Sequence, residues 1–192
     1  MIDRILMTVC CCSLFLGGCS QDSFEMAEAT VDVKSGTDAS SSDSYLPMAI
    51  GNYWRQDDGN YISITDTLRV GEMLFYKFES LTGYDAYGTQ YLRLDENNDL
   101  IERWTPSSDQ TYLHAKFGSK VGTKFHTLDD GTANDYEVTL KSRDNDIIEF
   151  EFDMVYHPLL KGHKHSVTYK KGLGFTTGWK EIRIEDIVYR FD

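Results

Sequence analysis

The sequence contains no cysteine after residue 19 and only three prolines in 192 residues. All four cysteines lie in the first nineteen residues, so no disulfide can form within the rest of the chain, which depends on its hydrophobic core. Thiol catalysis beyond residue 19 is excluded for the same reason. The apolar stretch at residues 5–16 is too short for a transmembrane helix, which needs about 20 apolar residues.

The N-terminus has the layout of a secretory signal peptide, because Arg4 precedes the apolar stretch and small residues end it. Its end, Leu16-Gly17-Gly18-Cys19, resembles the lipobox of bacterial lipoproteins. The resemblance implies that residues 1–18 are a lipoprotein signal peptide and that Cys19 becomes the lipidated first residue. An ordinary signal peptide whose cleavage site contains a cysteine is the alternative.

Acyl chains on Cys19 would be the contact with the membrane, since several chains anchor a protein durably where one does not. Ser20 follows the cysteine where retention in the inner membrane favours Asp. The resemblance therefore implies a lipid anchor in the outer membrane of a Gram-negative bacterium, with the protein facing the periplasm or exposed on the surface.

Residues 19–44 combine the lipidated Cys19 with an acidic, Ser-rich segment that has little to bury, which predicts a disordered tether. From Tyr45 onward, aromatic and β-branched residues dominate. Residues 45–192 are enough for a single β-rich domain. The net charge of -12 disfavours nucleic acid as a partner.

The dominant period of this domain is two. Tyr136, Val138 and Leu140 alternate with polar residues, and Phe150 and Phe152 alternate with acidic ones. This alternation is typical of an antiparallel sheet with one buried and one solvated face.

Turn-forming residues at 96–98 and 143–146 predict two hairpins. No helical periodicity follows the signal, so the predicted fold is all-β, an antiparallel meander that closes as a barrel or packs as a sandwich. Strands are predicted over residues 53–56, 61–70, 73–80, 91–95, 99–104, 111–117, 136–141, 149–156, 167–170 and 181–191, the last with a break.

The two hairpins resemble each other, since residues 97–102 (NNDLIE) parallel residues 144–149 (DNDIIE). An internal repeat with a period near 50 residues is one interpretation. The alternative is that both turns independently use Asn and Asp, which tolerate the left-handed backbone conformation.

His163 and His165 are the sharpest candidates for chemistry. Alternate residues of a strand share a face, so this pair could ligate one metal ion, with His157 as a third ligand. The competing interpretation is that these histidines begin a half-buried strand. No other motif predicts a cofactor, and Asp129-Asp130-Gly131 lacks the 12-residue loop of a calcium site and has the composition of a turn.

Aromatic residues make up 13% of the chain, which suggests a pocket for a sugar or lipid, or cross-strand pairs that stabilise a sheet without disulfides. Trp54, Trp104 and Trp179 are the residues to test first for ligand binding.

The segment YLPMAIGNYW at residues 45–54 resembles the Y-x-P-x-x-x-G-N-x-W opening of a family of extracytoplasmic lipoproteins of Gram-negative bacteria. FGSKVGTKF at residues 117–125 and YKKGLG at residues 169–174 are similar to later segments of that family. The resemblance implies a β-rich lipoprotein domain and brings no catalytic residue with it.

Two functions follow. The first is a membrane-anchored lipoprotein with a non-enzymatic β-domain. This domain would bind a partner protein, a small apolar ligand, or an envelope component such as a glycan. The alternative is a surface-associated hydrolase or metal-dependent enzyme that uses His157, His163 and His165.

Overall fold

The structure is a computed structural model, and it describes residues 32–35, 43–83 and 86–191. The described residues form β-strands, turns and loops, and no helix that could cross a membrane occurs among them. The prediction of an all-β, antiparallel fold is confirmed. The described strands form two hydrogen-bonded sheets rather than one continuous closed sheet.

Within the described ranges, nine strands form the larger sheet. In chain order they are β1 (Asp32–Ser35), β2 (Tyr53–Arg55), β3 (Tyr61–Val70), β4 (Met73–Thr82), β5 (Ala86–Leu94), β6 (Asp99–Arg103), β7 (Thr111–Lys116), β13 (Glu181–Ile184) and β14 (Ile187–Arg190). Five other described strands form the smaller sheet. They are β8 (Lys124–His126), β9 (Glu137–Arg143), β10 (Ile147–Asp153), β11 (His165–Lys170) and β12 (Gly174–Phe175).

Most neighbours in these sheets are also neighbours in the chain, as a meander requires. The spatial order is β1-β14-β13-β2-β3-β4-β5-β6-β7 in the larger sheet and β12-β11-β10-β9-β8 in the smaller one. Only the β1 and β14 pair is parallel among the described strands. A backbone hydrogen bond of 2.9 Å from Leu113 N to Thr127 O joins β7 to the residue that follows β8.

The two predicted hairpins are confirmed. Strands β9 and β10 pair around the turn at residues 144–146, and β5 and β6 pair around the turn at residues 95–98. Asn98 has a φ of 59°, which is the left-handed conformation that its short polar side chain tolerates. The predicted break in the last strand is also present, because β13 and β14 are separated at Glu185, whose φ is 54°.

Three short strands had no clear sequence signal. Strands β8 and β12 contain three and two residues, which is too short for an alternating pattern. Strand β1 lies inside the segment predicted as a tether, and its backbone pairs with β14. Cys19 and the signal segment lie outside the described residues.

A single hydrophobic core receives side chains from both sheets. Trp54, Ile64 and Phe78 come from the larger sheet, and Phe150 and Tyr169 come from the smaller one. All five are at most 2% exposed. Because these residues occupy the inward positions of a period-two pattern, the sequence pattern and the core agree.

Candidate functional site

The core does not fill all the space between the sheets. A cavity of about 460 Å³ lies between strands β5 to β7 of the larger sheet and strands β10 to β12 of the smaller one. Its volume falls in the range of small-molecule sites, which is about 300 to 1,000 Å³. Its most buried lining residues are Leu92, Leu100 and Tyr169, while Trp104 is 53% exposed.

Aromatic rings line the side of the cavity that belongs to the larger sheet. The ring centroids of Trp104 and Tyr112 are 5.4 Å apart, and those of Tyr112 and His114 are 6.3 Å apart. These distances are typical of rings in contact. The three rings form a continuous aromatic surface, which a flat or aliphatic ligand could cover.

Aromatic rings also line the side that belongs to the smaller sheet. His165 stacks on Phe152 with centroids 5.1 Å apart and an interplanar angle of 11°, and the edge of Tyr136 meets His165 at 5.8 Å. His165, Val167 and Tyr169 follow each other at every second position of β11, so all three face the cavity. A ligand between the sheets would therefore meet rings on both sides.

A carboxylate cluster interrupts these apolar walls. Glu102 Oε2 lies 2.6 Å from His114 Nε2 and accepts a hydrogen bond of 3.1 Å from Gln90 Nε2. The Glu102 side chain is only 14% exposed. Because a partly buried charge needs polar partners, the amide and the imidazole hold this carboxylate in one place.

A β-bulge places His114 in this cluster. Leu100 pairs with Ala115 and Ile101 pairs with Leu113, which leaves His114 as the extra residue of β7. His114 then lines the cavity while the adjacent Ala115 is fully buried in the core. Bulges are common beside functional sites because they change the direction of one side chain.

Tyr169 is a buried lining residue whose hydroxyl has no partner among the described residues. The residue is 2% exposed, and its hydroxyl makes no hydrogen bond within the described residues. Among the described residues, the side-chain polar atoms that are inaccessible to solvent and also lack a hydrogen bond are Arg93 Nε and His126 Nδ1. The Tyr169 hydroxyl is not one of them, so it is accessible to solvent. Burial raises the pKa of Tyr169, so the phenol keeps its proton and remains a hydrogen-bond donor.

The ring of Tyr112 carries a second neutral phenol on the cavity wall. Burial, followed by the charges of Glu102, Asp130 and Asp135, raises the pKa of Tyr112. The phenol therefore stays protonated at neutral pH, and the wall keeps an uncharged polar group beside Glu102.

The loop at residues 127–135 borders the cavity, to which it contributes Thr127 and Asn134. Asp135 is fully buried and organises this loop. It accepts hydrogen bonds from the Thr127 hydroxyl and from three backbone N–H groups, those of Leu128, Asp130 and Gly131. These bonds hold the Asp129-Asp130-Gly131 segment in a turn, which is the structure that its composition predicts.

The three histidines singled out from the sequence occupy different environments. His165 is the exposed first residue of β11 and lines the cavity. His157 Nδ1 accepts hydrogen bonds of 3.1 Å from the backbone N–H groups of Leu159 and Leu160, and His163 lies in the exposed loop before β11. No group of three His, Cys, Asp or Glu side chains among the described residues could hold a metal ion.

The three tryptophans also differ. Trp104 is at the cavity, Trp54 is fully buried in the core, and Trp179 is partly buried against that core. Sequence reasoning did not single out Gln90, Glu102 and His114. The available signal was a polar residue at an inward position of two successive strands, because Gln90 and Glu102 each lie two positions from a buried leucine. No such signal existed for His114.

No family model, curated protein or solved structure matches this chain.

Proposed function

We propose that this protein is a membrane-anchored lipoprotein of the Gram-negative cell envelope whose β-domain binds a small amphipathic ligand in the cavity between its two sheets. The cavity is the observation that carries the proposal. It has the volume of a small-molecule site, aromatic rings on both sides and a few fixed polar groups. The sequence supports the envelope location through the lipobox that ends at Cys19.

The arrangement of polar groups supports binding of a ligand with both apolar and polar parts. Glu102, Gln90 and His114 lie on one wall, and the buried Tyr169, whose hydroxyl has no partner among the described residues, also lines the cavity. An entirely apolar ligand would leave Glu102 Oε1 and the Tyr169 hydroxyl without hydrogen bonds, which is unfavourable away from water. A ligand with a hydrogen-bonding head and an apolar body satisfies them and covers the rings.

The proposal is tested by blocking the cavity. Val167 lines it from β11, whereas the preceding Ser166 lies on the opposite, exposed face of the same strand. Val167→Trp would fill the cavity with an indole ring, and Ser166→Trp adds the same ring outside it. The two variants therefore have matched chemistry and differ in the face that they change.

The probe is 3-phenyl-1-propanol, a neutral molecule with an aromatic body and one hydroxyl. It is titrated calorimetrically into the full chain in nonionic micelles at pH 8, with the heat of protein-free micelles subtracted. Wild type and Ser166→Trp are expected to bind it and Val167→Trp is expected not to bind it. Equal binding by all three proteins, or none by the wild type, would contradict the proposal.

A further inference from the structure

The charges around the cavity are unbalanced. Its lining residues, all within the described ranges, include one carboxylate, Glu102, and no lysine or arginine. An anionic head group in this space would meet the Glu102 carboxylate and no lysine or arginine side chain. Because a charge removed from water needs a partner, the lining disfavours fatty acids, phosphates and other anions.

Glu102 has one oxygen engaged and one free. Oε2 has both His114 and Gln90 as neighbours, but Oε1 has no hydrogen-bond partner among the described residues. Oε1 is also absent from the solvent-inaccessible, unpaired atoms of the described residues, so it is accessible to solvent. Glu102 itself lines the cavity. A fixed carboxylate oxygen that faces a cavity is an acceptor for a donor on the ligand.

The aromatic rings beside Glu102 also favour a positively charged ligand group. Trp104 and Tyr112 lie on the same wall as the carboxylate, and the faces of aromatic rings attract cations. Trp104 is half exposed at the opening, so one part of its ring is available to a ligand. The carboxylate and the rings therefore favour a positive charge at one place in the cavity.

We infer that the ligand of this cavity is a protonated organic amine with an apolar body, whose ammonium group donates a hydrogen bond to Glu102 Oε1 while its body lies between the aromatic walls. This inference rests on the proposed ligand-binding function and specifies the chemical class of the ligand. His114 and Gln90 act as positioning residues, since they hold Oε2 and leave Oε1 free.

The test compares three probes with one body and different heads: 3-phenylpropylamine, 3-phenyl-1-propanol and 3-phenylpropionate. At pH 8 they carry a positive charge, no charge and a negative charge respectively. Each is titrated into the full chain in nonionic micelles. The amine is expected to bind about tenfold more tightly than the alcohol, as a charge-assisted hydrogen bond provides, and the carboxylate is expected to bind most weakly.

Glu102→Gln keeps the shape of the side chain and removes its charge, so the amine should lose its advantage over the alcohol. Glu149→Gln is the matched control, because it changes the net charge of the protein by the same amount. Glu149 lies in β10 and precedes the inward-facing Phe150, so it is on the opposite face of that strand. In this control the preference for the amine should persist.

The outcomes separate this inference from the proposed function. If the wild type binds the alcohol as tightly as the amine, or binds the carboxylate best, the cavity remains a ligand site and the assignment of an amine is overturned. Persistence of the full amine preference in a folded Glu102→Gln variant also overturns it. Failure of all three probes to bind the wild type overturns both, and the wild-type ranking does not depend on whether any variant folds.

Discussion

The indole Nε1 of Trp54 donates a 2.7 Å hydrogen bond to the carbonyl oxygen of Leu173, a residue 119 positions further along the chain. Both residues are fully buried. Trp54 lies in β2 of the larger sheet, and Leu173 directly precedes β12 of the smaller one. This bond therefore joins the two sheets inside the shared core, next to Phe175, whose ring meets the indole edge-on at 5.5 Å.

Replacing Trp54 with Phe should destabilise the fold by about 2 to 4 kcal/mol, because it leaves the buried Leu173 carbonyl unpaired and creates a small cavity. Chemical denaturation followed by far-UV circular dichroism measures the change. Trp179→Phe is the control, since Trp179 is only partly buried and its indole has no hydrogen bond among the described residues. An equal effect of both substitutions would show that the bond between Trp54 and Leu173 contributes nothing specific.

Gly174 lies directly against the same indole. Its φ is +79°, and a Cβ atom at this position would be 2.8 Å from Trp54 and 2.9 Å from Leu46. Gly174→Ala should therefore destabilise the protein by roughly 3 kcal/mol, through the strained backbone conformation and the clash together.

Gly162→Ala separates these two effects. Gly162 has a similar φ of +85° but open space around its Cα, so only the backbone strain remains and the loss should be about 1 kcal/mol. Denaturation midpoints of the two variants measure the difference. Equal midpoints would mean that the packing against Trp54 is not tight.

The strands were predictable because their signals are local. Alternation at Val138 and Leu140 and the turn residues at Asn98 determine strand faces and hairpins over a few positions. The cavity was not predictable in the same way. The cavity forms where Glu102 and His114 of the larger sheet face Phe152 and Tyr169 of the smaller one. Alternation shows which residues point inward. It does not show whether those residues fill the space between the sheets.

The position of His114 illustrates the same limit. Strict alternation from the buried Ala115 and Phe117 would direct His114 outward, and a bulge in β7 reverses that direction. A bulge depends on the pairing register with β6, which a single sequence does not reveal. Trp104 was singled out for its aromatic ring alone, and its place at the cavity follows from the register as well.

Asp135 should make stability depend on pH. Burial raises the pKa of Asp135, but the hydrogen bonds from Leu128, Gly131 and Thr127, together with His126, outweigh it, so the pKa lies below its ordinary value. The folded state thus binds the proton less readily than the unfolded state. The stabilisation is complete above the ordinary pKa of Asp and is lost as the pH falls below about 4 towards the lower folded pKa.

Asp135→Asn tests this dependence. At pH 7 the variant should be less stable by about 2 to 4 kcal/mol, because its NH₂ group replaces an acceptor opposite two backbone N–H donors. The difference from the wild type should shrink as the pH falls below 4. Urea denaturation at pH 7 and pH 3 measures it, with the exposed Asp129→Asn as the control. A difference that stays constant over this range would contradict the role of the charge.

Lipidation at Cys19 is the prediction on which the envelope location depends. Cys19→Ala should abolish incorporation of an alkyne-labelled fatty acid and leave the protein without its acyl anchor, because the thiol is the site of attachment in proteins with a lipobox. Cys12→Ala is the matched control, since Cys12 belongs to the predicted signal peptide and its replacement should leave labelling unchanged. Gel fluorescence after labelling, together with membrane fractionation, provides the measurement. Continued labelling of Cys19→Ala would refute the lipoprotein assignment, while the ligand-binding proposal would still stand on the cavity.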